Sequence, residues 1–424
     1  MRATGPDTPP NVVLLLAGGW RAQSFDGGEG MRAPHLARLA EDGVRFKRVY
    51  TTCPAPAPAR ASVLTGRFPH ACGVTRDGQR LPLAEKTLAE ILVSAGYETA
   101  FVGHWRLDGA TTPGYVPPGE RRQGFLHWAA VNRGERWYDA PYYLDEPRPL
   151  TAQGFEPAAQ AELAVDFITR SRDRPFFIAL FWGLPAGPRP VLPTLRPKAP
   201  ESTRLRFNVP AGHEDGARRE IALYHAACAA VDESSGRLLQ ALEQTGAAGE
   251  TIVVFTSDHG EMLGSHGLAG AGEAYEEAVR VPLVIRYPRV TPRGMTFDMP
   301  VSLADLAPTV LGLAGLGHPA VHGRNLAPLI RGEPAERPES AYVEGRLGEP
   351  GEWRMVVRGL DKVVVGRRFN VTHLYNLGQD PYEMWNLAEE KEARRKRDEM
   401  QAILRDWMRR TGDRILPSGL KIRE

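Results

Sequence analysis

Asn11-Val12-Val13-Leu14-Leu15-Leu16-Ala17, closed by Gly18-Gly19, is an unbroken apolar run of about one strand's length. A strand with one wet face alternates apolar and polar residues, whereas one without alternation is covered on both sides, as in a sheet with helices above and below. Downstream, Pro34 to Asp42 sets Leu36, Leu39 and Ala40 at helical spacing and stops at Gly43, and Val44 to Thr51 reads as extended. The prolines of Pro54 to Pro58 exclude a regular helix interior there, so the next helix is expected over Arg60 to Gly66. Helix followed by buried strand then recurs: Leu81 to Ala95 before Thr99 to Val102, Pro157 to Arg170 before Phe176 to Trp182, and Ala217 to Thr245 before Thr251 to Phe255, with a further apolar run at Val281 to Ile285. That order predicts an α/β fold with a parallel or mixed sheet. The stretches at 111–150 and 184–216, rich in Pro, Arg and Gly, read as surface excursions over the sheet edge.

From about Arg337 the texture changes to short alternating strands, Ala341 to Val343, Arg354 to Arg358, Lys362 to Val365 and His373 to Tyr375, and then to a charged helical stretch over Ala388 to Arg409. Residues 1–336 are therefore expected to form the α/β domain and 337–424 a smaller C-terminal α+β subdomain with an antiparallel sheet. Apolar residues at 42% and charged residues at 25% are those of an ordinary globular protein and exclude disorder as the main state. Lys plus Arg at 53 against Asp plus Glu at 51 leaves a formal +2, too balanced to point to nucleic acid or a membrane surface. Cys53, Cys72 and Cys228 are odd in number and scattered, which fits a reducing compartment, and the N-terminal apolar run is too short for a signal peptide or a membrane span. The expected location is the cytoplasm.

Four blocks carry chemistry: Arg60-Ala61-Ser62-Val63-Leu64-Thr65-Gly66-Arg67; Thr256-Ser257-Asp258-His259-Gly260-Glu261; Tyr275-Glu276-Glu277-Ala278-Val279-Arg280-Val281-Pro282; and Asp305 to Leu311 with His322-Gly323-Arg324. A fifth, Leu374-Tyr375-Asn376-Leu377 with Asp380-Pro381-Tyr382-Glu383, follows in order. Together they resemble the sulfatase family of the alkaline phosphatase superfamily over nearly the whole chain. The resemblance implies an α/β/α sandwich around a mixed, mostly parallel sheet, with the site at the carboxyl ends of the strands. It also implies a divalent cation, usually calcium, a formylglycine made from the Cys of C-x-P-S-R, and basic side chains around the sulfate.

The sequence departs from that pattern at the site. Aligned on Arg60, the nucleophile position is Pro56, which offers no nucleophilic atom, and Ala59 stands in place of the motif serine. The acidic pair after the first strand is Gly18-Gly19, leaving Asp258 and His259 as the matching ligand positions, too few for a calcium ion. The family's G-K-W-H reads Gly103-His104-Trp105-Arg106, and two further basic positions are Ala186 and Ala271. Arg60, His104, Arg106 and His259 remain as anion-binding candidates at a helix N-terminus; the plainer alternative pairs Arg60 and Arg106 with Asp258 or helix carbonyls. Ser62 and Thr65 have no base spaced to activate them, His266 repeats a letter common in the family, and Cys53 reads as a small buried side chain.

These departures lead to the expectation of a pseudoenzyme: a sulfatase fold that has lost sulfuric ester hydrolase activity, needs no cofactor, and binds a small anion, a sulfated or phosphorylated ligand, a protein partner or an active paralogue. The alternative is a sulfate or phosphate ester hydrolase or transferase with a formylglycine-independent site. No P-loop, dinucleotide fingerprint, H-E-x-x-H or G-x-S-x-G motif points to other chemistry.

Overall fold

The protein is described here by a computed structural model covering residues 8–110, 114–134, 136–171, 173–186 and 203–413. Its strands are β1 (Asn11–Gly18), β2 (Val44–Tyr50), β3 (Glu98–His104), β4 (His127–Val131), β5 (Tyr138–Tyr142), β6 (Leu150–Phe155), β7 (Phe176–Pro185), β8 (Thr251–Ser257), β9 (Arg280–Arg286), β10 (Met295–Ser302), β11 (Ser340–Gly345), β12 (Trp353–Arg358), β13 (Asp361–Gly366) and β14 (Val371–Asn376). Eight of them form one sheet in the order β10-β2-β9-β8-β1-β7-β3-β4. Its pairings are parallel except where β9 meets β2 and β8, so the sheet is mixed and mostly parallel.

β1 lies in the interior of this sheet, between β7 and β8, and every one of its residues is buried. Its side chains divide between two cores: Val12, Leu14 and Leu16 face one, Val13, Leu15 and Ala17 the other. The first core is closed by the helices Pro56–Thr65, Leu88–Ser94 and Leu306–Leu313. The second is closed by Pro34–Glu41, Glu156–Arg170 and the 31-residue Glu214–Gln244. Covering on both faces is why β1 reads as a run without alternation. Behind this layer β11 to β14 form an antiparallel sheet, one face packed with Val279 and Tyr50 of the main layer and the other with the helix Arg394–Thr411. Among the described residues no helix is long and apolar enough to cross a membrane.

Three local expectations are corrected. The helix expected from Arg60 begins at Pro56, because the N–H groups that Pro56 and Pro58 lack belong to the first turn, where no intrahelical partner exists. The helix expected over Leu81 to Ala95 is confined to Leu88–Ser94, where Thr87 accepts from the Glu90 amide and Glu90 reaches back to the Thr87 amide, a capping box that fixes the start. The stretch 111–150, expected to be irregular, contains β4, which extends the sheet, and β5, which pairs with β6 as a hairpin. Residues 187–202 of the excursion at 184–216 lie outside the described residues, as do residues 111–113.

The β3 edge is held by aromatic packing. Phe101 is fully buried with ring centroids of Trp105, Phe125, Trp128 and Phe181 4.9–5.2 Å away. Phe101→Ala is expected to lower stability by about 3–5 kcal/mol, read as a drop in the urea midpoint; a loss below about 1 kcal/mol would show that the cluster does not anchor this edge.

Candidate active site

The carboxyl ends of β1, β3, β7 and β8 converge on one side chain, Arg60, which the middle of the helix Pro56–Thr65 delivers with 1% exposure. Its Nε donates to Asp258 Oδ2 at 3.1 Å, one Nη to the His104 carbonyl and the other to the Trp182 carbonyl at 3.2 Å. Asp258, fully buried just past β8, receives the Gly19 and His259 amides on Oδ1, both at 2.9 Å. Burial alone would push the Asp258 carboxyl up, but His259 and Arg60, with the Gly19 amide, hold it below the ordinary carboxylate range. Burial works against the Arg60 guanidinium, Asp258 works for it, and Arg106 nearby adds repulsion.

The predicted candidates thus separate. Arg60 takes the plainer role, bound to Asp258 and to carbonyls, though these belong to strands and not to a helix. Arg106 is different: it sits at φ 61°, uncommon for a residue with a side chain, and its guanidinium has no ion pair among the described residues. His104 donates Nε2–H to Glu156 Oε1 at 2.7 Å, a carboxylate oxygen that also accepts from Gln160, and its buried Nδ1 has no partner among the described residues. His259 donates Nδ1–H to the Gly260 carbonyl at 2.9 Å, and its Nε2 lies 3.7 Å from Asp258 Oδ1. The helix N-terminus expected to hold an anion is already occupied, because Asp77 Oδ1 accepts from the Ala57 amide at 2.8 Å. Ser62 is buried, Thr65 bonds back to the Ala61 carbonyl, and His266 is engaged by Asn208 and Tyr275. Burial raises the Cys53 thiol well above its ordinary value, which suits a packed side chain and not a nucleophile.

A calcium ion does not fit these residues. A Cβ added at Gly18 would lie 2.6 Å from the Gly183 carbonyl oxygen, and one at Gly19, where φ is 79°, 2.7 Å from Ala186 Cβ, so neither position has room for a carboxylate. Both Asp258 oxygens are taken by protein donors. Among the described residues the grouping His70, Glu344 and Asp413 has metal-ligand chemistry, but Arg354 and Tyr342 already hold Asp413 and His70 holds Glu344.

One pair was not legible in sequence. Arg21, fully buried after the Gly18-Gly19 turn, pairs with Glu29 at 2.7 Å and donates to the Glu261 and Met262 carbonyls, both at 3.2 Å, so it ties the β1 turn to the segment after Asp258. Burial would raise the Glu29 carboxyl, yet Arg21, His225 and Ser24 bring it down to about 2.

The sulfatase family profile matches residues 10–316. The chain belongs to the sulfatase family. It is 32% identical over 421 residues to the Ulvan-active sulfatase of Formosa agariphila, covering 96% of this chain and 82% of that one. It is 26% identical to the N-acetylglucosamine-6-O-sulfatase of Bacteroides thetaiotaomicron, with 95% and 87% covered. In structure it matches yidJ of Bacteroides fragilis with a TM-score of 0.89 at 24% identity, covering 97% of this chain and 98% of that one. It also matches BT4656, solved in complex with its substrate D-glucosamine-2-N,6-O-disulfate, with a TM-score of 0.83 at 23% identity and 96% and 99% covered. These relatives correct the expectation of a chain that has lost sulfuric ester hydrolase activity: over nearly its full length it aligns with sulfatases. The departures at Pro56, Gly18 and Gly19 bear on the route of the reaction and do not establish its loss.

Two outcomes are expected. Because the site has no room for the acidic pair, chelator or added Ca²⁺ should leave the melting temperature unchanged, whereas a tightly bound structural ion would shift it by mass action. Glu29, with its folded pKa lowered, contributes stability that is present above its unfolded value of 4.5 and lost as pH falls toward about 2. Acid titration of Glu29→Gln should therefore show a smaller fall over that window, by about 3 kcal/mol; parallel curves would mean that the pair is not linked to folding.

Proposed function

We propose that the protein hydrolyses sulfate esters of sugars. The observation that carries this reading is the alignment over 96% of the chain with a sulfatase that is 32% identical. The sugar is inferred from the relatives, one named for N-acetylglucosamine 6-O-sulfate and one solved with a disulfated glucosamine.

Proline at position 56 cannot attack, so the attacking oxygen in this proposal is water. Its oxygen bonds to sulfur as the ester S–O bond breaks, one water proton passes to a ring nitrogen and is returned to the departing sugar oxygen, which leaves as the alcohol, and the other water proton stays on the product as hydrogen sulfate. Arg106, whose planar guanidinium matches an oxyanion and has no competing carboxylate among the described residues, holds the sulfate oxygens. His259 Nε2 and His104 Nδ1 have no hydrogen-bond partner among the described residues, and in this proposal they take and return the proton. Glu156 positions His104 by fixing Nε2 as its protonated nitrogen. Arg60 and Asp258 carry the architecture beneath this set.

The test is sulfate release from N-acetylglucosamine 6-sulfate and from an aryl sulfate. Turnover is expected without co-expression of a formylglycine-generating enzyme, and Arg106→Ala and His259→Ala should each lower kcat/KM by about 100-fold or more. Absence of sulfate release from both substrates would overturn the proposal, and full activity in both variants would overturn the assignment of residues.

A further inference from the structure

A cleft of about 400 Å³ opens between the small sheet and the loop preceding Glu276. One wall is aromatic, built from Tyr275, Trp353 and Tyr375. Trp353 Nε1 donates to the Gly272 carbonyl at 3.1 Å, which seats the indole against the loop, and Tyr275 is stacked on His266 with ring centroids 4.0 Å apart. These rings are held in place before any ligand arrives, so binding has little ordering to overcome.

The charged groups on the lining are mostly arginines. Arg346 is neutralised by Glu273, and Glu352, the other acid on the cleft, faces Arg354 at 3.1 Å. Arg367 and Arg368, on the β13–β14 turn, also line the cleft; both are exposed and have no carboxylate partner among the described residues. The turn that carries them is anchored by Phe369, buried at 7% exposure beneath the Arg405 guanidinium. Three arginines thus line the cleft against two glutamates, a surplus of one positive charge beside a fixed aromatic wall, and Arg367 and Arg368 are the two without a carboxylate among the described residues. Such a wall accepts the apolar face of a pyranose ring, and unpaired guanidinium groups accept a carboxylate or a sulfate in a two-point contact. The loop that forms the wall contains Ala271, and the Met262 amide donates to the Gly270 carbonyl at 2.8 Å, so one continuous segment joins the cleft to the residues that follow Asp258.

We infer that this cleft binds a negatively charged saccharide unit, flanking the esterified sugar in the substrate chain. The inference rests on the sugar-sulfate reading for its ligand class and on the cleft's own charge and rings for its location.

The test uses the full chain and a probe without any ester to cleave, an unsulfated tetrasaccharide of alternating glucuronate and N-acetylglucosamine. Calorimetry and tryptophan fluorescence follow its binding beside a neutral N-acetylglucosamine tetrasaccharide and inorganic sulfate. The acidic tetrasaccharide should bind at least about tenfold more tightly than the neutral one, and the exposed double variant Arg367→Ala/Arg368→Ala should lose about tenfold or more of that affinity without a change in melting temperature. Equal affinity for the two tetrasaccharides, an unaffected double variant, or inorganic sulfate binding as tightly as the acidic probe would each overturn the inference. Since the probe is not a sulfate ester, its binding is read separately from hydrolysis, and either proposal can fail alone.

Discussion

The carboxyl end of the main sheet depends on one buried charge pair, Arg60 with Asp258. Each ion is almost entirely removed from water, and each is repaid through several hydrogen bonds: Asp258 takes two amides and a guanidinium, and Arg60 gives to Asp258, to the carbonyl that ends β3 and to the Trp182 carbonyl within β7. A pair of this kind adds little net stability compared with well-packed apolar residues, yet removing one partner leaves an uncompensated charge in the interior. Its effect is therefore one of specification. It fixes where the helix Pro56–Thr65 sits relative to four strand ends, and with it the places of His104, Arg106 and His259. A multidentate guanidinium here gathers backbone and carboxylate oxygens around one positive centre.

The layered architecture was readable because its signals are local. The β1 run declares a strand covered on both faces, and each helix-then-strand repeat supplies one unit of the sheet. Resolution failed where a partner distant in sequence decides the outcome. Asp77, 20 residues beyond Ala57, occupies the helix N-terminus that local reasoning left open for an anion. Arg21 could not be paired with Glu29 and with the Glu261 and Met262 carbonyls from spacing alone, since the chain must fold before those oxygens meet one nitrogen group. The start of the helix at Leu88 was legible in principle, because Thr87 and Glu90 have capping-box spacing, but the longer apolar periodicity from Leu81 masked it.

At the site the residue identities and the inference drawn from them stand apart. Pro56 lacks a nucleophile and Gly18 and Gly19 lack carboxylates, and the backbone contacts at both glycines show that those positions are packed without space for larger groups. A motif, however, reports one chemical route. Hydrolysis of a sulfate ester also needs a place for the anion and a proton carrier, and Arg106, His104 and His259 have the donor and acceptor capacity for both. Local loss at three positions is thus a weaker guide than similarity maintained along the whole chain.

The position of β1 also has a consequence for biosynthesis. The first strand described is an interior one, and its neighbours β7 and β8 begin at Phe176 and Thr251, while β2 acquires β10 only at Met295. Val12 to Leu16 therefore wait for one neighbour until Phe176 and for the other until Thr251, and sequence separations this large slow folding. The nascent chain therefore exposes this apolar segment until its neighbours have been made, and transiently exposed apolar surface of this kind favours aggregation.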